Sequence, residues 1–147
     1  MSALLEQALA LARNGIAVFP CREGGKEPAT SNGFKNATTD EATIRRWWGE
    51  NPNFNIGMPT GAASGFDVVD LDGEEGIAEW TKLEAKHGKA PTYSVRTPRG
   101  GLHLYYRHDP ARPIPCTASK LAPHIDTRGD GGYVLVPPSI VGGKSYE

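Results

Sequence analysis

The sequence predicts an α+β protein, and three features carry that reading. Apolar residues at helical spacing dominate the first half. The second half alternates apolar and polar residues over short runs, as half-buried antiparallel strands do, and is broken by one long helical segment. Glycine (18) and proline (12) recur throughout and argue against a helical bundle.

Leu4, Leu5, Ala8, Leu9 and Ala12 mark a first helix, stopped by Asn14-Gly15. Residues 16–20, IAVFP, read as a short strand closed by proline, and 21–35 as a Gly, Lys and Pro-rich loop. A second helix starts near Thr38, where TTDE has the form of a capping box. It sets Ile44, Trp47 and Trp48 on one side and stops at Asn51-Pro52. Strands are expected at 55–58 and 66–71, then a third helix after Asp72-Gly73 carrying Ile77, Trp80 and Leu83 and ending at His87-Gly88. Further strands fall at 93–96, 102–106, 124–127 and 133–136, the last two joined by a hairpin turn over 129–132. No repeat, low-complexity segment or linker divides the chain.

The bulk numbers fit a folded protein: 147 residues, 38% hydrophobic and 22% charged. A net charge of −1 gives no global field favouring nucleic acid. Locally, Arg96, Arg99, Arg107, Arg112, Lys120 and Arg128 are opposed over that stretch only by Asp109 and Asp126. Cys21 and Cys116 form no metal or redox spacing, so reduced thiols are expected. Glu6 interrupts the N-terminal apolar run, and no run approaches the roughly 18 apolar residues of a membrane span. The expectation is a cytoplasmic protein without membrane contact.

FDVVDLDG is the most informative segment. Alternate strand residues share a face, so Phe66, Val68, Asp70 and Asp72 point one way and Val69 and Leu71 the other. Two carboxylates on one side of an apolar strand repel unless a cation lies between them. Magnesium or manganese suits such ligands. The competing reading makes Asp70 and Asp72 caps of the following helix. Asp67 reads as a solvated strand start.

In TPRGGLHLYYR, Gly101, His103, Tyr105 and Arg107 form the polar face. Gly100-Gly101 permits close approach of another chain segment or a ligand, and Arg99 offers a planar phosphate donor. A lone strand histidine is usually structural, but this one lies beside arginine on the polar face. In HIDTRGDGG, His124, Asp126 and Arg128 share a face, which makes Asp126 the third candidate ligand and leaves Asp130 to the turn. His108, Cys116 and His124 mimic a zinc set, but lack a fourth ligand and paired spacing.

Together, Asp70-Leu71-Asp72, Gly100-Gly101-Leu102-His103 and DTRGDGG with Pro137-Pro138-Ser139 resemble the bifunctional primase–polymerase domain of the archaeo-eukaryotic primase superfamily, found in phage and plasmid replication proteins. GGKEP around Lys26 and NIGMPTG over 55–61 extend the resemblance across nearly the whole chain. It implies an RNA-recognition-motif-like, mostly antiparallel catalytic sheet packed with a second α/β unit, residues 1–147 forming one catalytic domain. It also implies divalent metal, Mg²⁺ or Mn²⁺ in a two-metal site, on Asp70, Asp72 and Asp126. By the same resemblance His103 contacts the triphosphate, and Lys26, Arg99 and Arg128 are further nucleotide-binding candidates. The implied partners are a DNA template and primer, (d)NTPs and, in a longer protein, a helical segment and a linked helicase. The superfamily often places serine two residues before the histidine, where this chain has Gly101.

The expected reaction is metal-dependent nucleotidyl transfer to a 3′-hydroxyl on a DNA template. Two rivals belong to other classes. Strand-Asp-x-Asp-Gly also opens haloacid-dehalogenase-type phosphatases, in which Asp70 would be a covalent nucleophile on an alternating parallel α/β sheet. A non-catalytic nucleotide- or single-strand-binding module would use Trp47 and Trp48 for stacking, although their helical spacing places at least one in the core.

Overall fold

A computed structural model describes residues 2–147 and shows an α+β chain of three α-helices and mostly antiparallel sheets. The backbone divides into two compact units, and the second is inserted into the first. Met1–Pro59 and Tyr133–Glu147 form one unit, and Thr60–Gly132 the other.

In the first unit, α1 (Ala3–Arg13) is capped by the Ser2 hydroxyl, which accepts from the Leu5 amide at 3.2 Å. It buries Ala8, Leu9 and Ala12 and packs against α2 (Glu41–Glu50) through Ile44 and Trp48. The cap of α2 is Asp40, not Thr38: the Asp40 carboxylate takes both the amide and the hydroxyl of Thr43, at 3.0 and 2.6 Å. These bonds hold the Asp40 carboxyl below its ordinary pKa. Trp48 is core, its indole N–H donating to the Phe54 carbonyl at 2.8 Å, while Trp47 is half-buried beside it.

Strands β1 (Phe19–Cys21), β2 (Asn55–Pro59) and β8 (Tyr133–Leu135) pair antiparallel in the order β1-β2-β8. Pro20 does not close β1 but sits inside it, which an edge strand tolerates because its missing N–H breaks no ladder bond. The Phe19 ring lies over Gly57, where any Cβ would come within 2.5 Å of it. β8 belongs to this sheet, so residues 129–132 are not a hairpin turn but the connection between two sheets.

Two sequence motifs act structurally here. Asn55, fully buried, donates to the carbonyls of Gly25 (2.9 Å) and Ile140 (2.8 Å) and accepts from the Ile140 amide (2.9 Å). The buried Ser139 hydroxyl accepts from the Ile56 amide at 2.9 Å. β9 (Ile140–Val141) and β10 (Lys144–Ser145) close the unit as a two-stranded hairpin around Gly142 and Gly143, both at positive φ.

The second unit is a five-stranded antiparallel sheet in the order β4-β5-β3-β7-β6, with one helix. Its central strand β3 (Phe66–Leu71) pairs with β5 (Leu102–Arg107) and β7 (Ile125–Arg128); β4 (Ser94–Arg96) and β6 (Thr117–Ala122) form the edges. Helix α3 (Gly73–His87) packs Ile77, Trp80 and Leu83 onto Val69, Leu71, Leu104 and Ile125. Gly76 permits that approach, since a Cβ there would lie 2.6 Å from the His124 carbonyl oxygen. The faces of β3 are therefore as its alternation predicts: Val69 and Leu71 toward the helix, Val68 and Asp70 away from it.

Candidate active site

Register brings the separated polar residues together on the face opposite α3. Asp70 is the Cα partner of His103 on β5 and of Asp126 on β7. One row across three neighbouring strands thus reads His103, Asp70, Asp126. The next row reads Tyr105, Val68, Arg128. Directly opposed residues of antiparallel strands hold their Cβ atoms roughly 4.5–5.5 Å apart, so Asp70 and Asp126 are neighbours on one face of the sheet.

Two side chains of this row engage each other, and the third is held by neighbours outside it. His103 Nε2 lies 3.5 Å from Asp70 Oδ1, with His103 buried and Asp70 a quarter exposed. Arg128 reaches Asp126 Oδ2 at 3.5 Å. The Ser119 amide donates to Asp126 Oδ1 at 3.1 Å. Asp70 thus has an ionisable neighbour in His103, and Asp126 a cationic one in Arg128.

Asp72 follows β3 and occupies the cap position of α3, yet its side chain makes no capping hydrogen bond. Its exposed carboxylate is thus not consumed by the helix, contrary to the capping alternative. Its backbone is held firmly: the Asp72 amide donates to the His124 carbonyl at 2.8 Å, and its own carbonyl accepts from Gly76 at 3.1 Å.

The glycine pair before the histidine has different work at each position. Gly101 meets the Asp72 corner, where a Cβ would fall 2.0 Å from the Leu71 oxygen, 2.8 Å from the Gly73 nitrogen and 3.1 Å from the Thr97 hydroxyl. The close approach expected of this pair is made by the acid-bearing segment itself. A serine two residues before His103 has no room here. Gly100, with φ 83 and open space around it, supplies the turn. Arg99 is exposed on the same turn, its carbonyl near Gly73. Lys26 lies in the first unit, exposed on a loop whose Lys26 carbonyl accepts from the Tyr133 hydroxyl at 2.8 Å.

Several expectations are corrected. Asp67 is not solvated. It is 2% exposed and bonds His108 Nδ1 at 3.0 Å, which pins the segment after β5 to β3. His124 precedes β7 in a turn with φ 64, and its imidazole goes to Glu75 at 3.1 Å instead of joining Asp126 and Arg128. Asp130 has the structural role expected of it, accepting from the Ala62 amide at 2.8 Å. Cys116 lies beside the Gly129 amide and carbonyl, so the zinc mimic His108, Cys116 and His124 is split among three environments. Every strand bordering β3 is antiparallel, which removes the haloacid-dehalogenase reading.

No group of three His, Cys, Asp or Glu side chains poised to hold a metal occurs among the described residues. The donors present fit a hard cation nonetheless. They are two oxygen-only carboxylates opposed across a ladder, with a third at the end of β3. Magnesium-type ions take one or two carboxylates and complete their shell with water and substrate phosphate. No helix of the described residues is long and apolar enough to cross a membrane.

Ser119 and the Asp126–Ser119 bond are the part of the site that residue patterns do not reveal. Ser119 lies on an exposed edge strand without alternation, and only the bulge in the β6–β7 pairing turns its amide toward the acid. Compared with known protein families, residues 8–147 match the model described as bifunctional DNA primase/polymerase, N-terminal. No curated protein matches the chain.

Proposed function

This chain belongs to the family of bifunctional DNA primase/polymerase N-terminal domains, and from that premise we propose that it is the catalytic domain of a template-dependent nucleotidyltransferase. The observation that supports this best is the His103–Asp70–Asp126 row across β5, β3 and β7. It sets two opposed carboxylates and a buried imidazole on the sheet face away from the helix.

In this reading the 3′-hydroxyl of a primer on a DNA template attacks the α-phosphorus of a (d)NTP. The bond to the β-phosphate breaks, pyrophosphate leaves and the hydroxyl's proton passes to water. Asp70 and Asp126, with Asp72 at the strand end, are the cation ligands, and they act as ligands and not as proton carriers. When bound, Mg²⁺ or Mn²⁺ lowers the pKa of the attacking hydroxyl and offsets charge on the triphosphate.

His103 is oriented by Asp70 and donates to a triphosphate oxygen. Arg128, half-buried against Asp126, is held with its guanidinium ready for phosphate, and Arg99 is a further phosphate contact; for Lys26, in the other unit, a nucleotide-binding role rests on the family resemblance alone. DNA-binding, a helicase linked in a longer replication protein and a cytoplasmic location belong to the same proposal and rest on the family.

The test is extension of a labelled primer–template with four dNTPs and Mg²⁺ or Mn²⁺, beside Asp70→Asn. Extension by the parent and none by the variant supports the assignment. Folded parent protein that binds nucleotide but never extends, with either metal, would make this a binding module.

A further inference from the structure

Ser119 and His124, with φ of 54 and 64, are the two non-glycine residues in left-handed conformation among the described residues. Both belong to one irregularity. β6 pairs Ala118 with Asp126 and resumes with Ala122 opposite Ile125, so residues 119–121 bulge from the sheet edge. Bulges re-aim individual groups, and strained backbone of this kind concentrates where geometry must be held.

We propose that the 119–124 bulge is a positioning element for the acids, fixing the Asp126 carboxylate and the Asp72 backbone from the edge of the sheet. The proposal rests on reading those acids as cation ligands. In a regular strand the amide of residue 119 would lie in the sheet plane and could not meet a carboxylate projecting from the face. Here it donates to Asp126 Oδ1 at 3.1 Å. The same residue's hydroxyl accepts from the His124 amide at 3.3 Å, closing the bulge. His124 then presents its carbonyl to the Asp72 amide at 2.8 Å, and its imidazole ties the turn to Glu75 on α3 at 3.1 Å. A continuous path Asp126–Ser119–His124–Asp72 links two of the three acids without passing through Asp70. Groups that orient metal-binding carboxylates in this way commonly matter to affinity by 10–100-fold.

Serine suits this position because its short side chain can return to nearby backbone. Asparagine is the conservative replacement, since it offers an acceptor and tolerates positive φ. The experiment is titration of the whole chain with Mn²⁺ alone, read by loss of the free-ion electron paramagnetic resonance signal, with thermal unfolding recorded in parallel. Ser119→Ala is expected to bind Mn²⁺ about tenfold more weakly at a temperature where it is fully folded, and Ser119→Asn to recover the parent affinity. In primer extension the Mn²⁺ requirement should rise by the same factor, while the rate at saturating Mn²⁺ returns to parent. Should Ser119→Ala not fold, Ser119→Gly takes its place, because it accepts φ 54 and lacks the hydroxyl.

Parent affinity in Ser119→Ala, with binding lost in Asp126→Asn, would overturn the positioning role and leave the ligand assignment standing. Unchanged Mn²⁺ binding in both Asp126→Asn and Asp70→Asn would overturn the ligand assignment, and this proposal with it.

Discussion

Alanine at position 101 would put a methyl carbon 2.0 Å from the Leu71 carbonyl oxygen and 2.8 Å from the Gly73 nitrogen. Close carbon–oxygen contacts settle near 3.3 Å, so the start of β5 and the Leu71–Gly73 corner must separate by roughly 1.3 Å. Both sides of that contact are backbone, and no side-chain rotation relieves it. Overpacking of this kind costs about 1–3 kcal/mol. For a chain of this size that corresponds to roughly 3–10 °C in Tm. The effect on catalysis should be larger, because the displaced corner contains Asp72 and the displaced strand carries His103 two residues on. Misplacement by about 1 Å at a reacting centre can cost on the order of 100-fold in rate. The assay pairs thermal unfolding by circular dichroism with primer extension well below both melting temperatures. Gly100→Ala is the control: it has φ 83 and nothing within 4 Å, so it should lose about 1 kcal/mol to backbone strain and keep most of its activity. Gly101→Ser should behave as Gly101→Ala does. Parent Tm and parent rate in Gly101→Ala would refute the packing argument.

Four further outcomes are expected. Asp126→Asn removes one of two opposed like charges, so stability should hold within about 1 kcal/mol while incorporation falls at least 100-fold; unfolding of the variant would instead mark the acid as structural. Asn55→Ala leaves three partly buried backbone groups without their partner, and urea titration should show a loss of about 1–3 kcal/mol, a loss below about 0.5 kcal/mol contradicting the role given to its hydrogen bonds. Asp67→Ala removes the carboxylate from a buried pair with His108 and should cost about 3 kcal/mol, whereas an unchanged midpoint would mean that the pair contributes nothing. Burial pushes the Cys21 thiol from 9.0 up to about 12, so native protein should release one equivalent of thiolate to a disulfide reagent at pH 8, from Cys116. Since the folded value lies above the unfolded one, the neutral thiol's contribution is complete below pH 9 and declines as pH rises toward 12; two equivalents from folded protein would contradict this.

What was legible in the sequence was whatever local periodicity encodes. β3 and α3 have the expected limits because an apolar alternation ends at Asp72-Gly73 and a helical stripe ends at a glycine with φ 91. Alternation also placed Asp70, His103 and Asp126 on the polar faces of their strands. It could not say that these faces are one face or that Asp70 stands between the other two, because register is a long-range property. β6 was missed because its residues are largely exposed and lack the alternation that burial of one face imposes. Asp67 reads as solvated because alternation puts it on the face away from Asp70, while the partner that buries it, His108, lies far along the chain. The assumed hairpin over 129–132 failed because turn chemistry specifies a reversal of direction and not the sheet that receives the next strand.

The inserted unit begins and ends at neighbours. Pro59 and Tyr133 are Cα partners in the β2–β8 ladder, and the Thr60 amide donates to the Gly132 carbonyl at 3.0 Å. For the first unit to assemble alone, β8 would have to find β2 across the whole of Thr60–Gly132, an entropic cost on the order of 4 kcal/mol for a disordered loop of that length. Once the inserted unit has folded, its own ends stand together and deliver β8 to its partner, so that cost falls within the folding of the insertion. During synthesis the acid-bearing sheet can therefore mature while the sheet of the first unit still lacks a strand. That connectivity allows the segment made second to be complete first, and the frame that encloses it in sequence to close last.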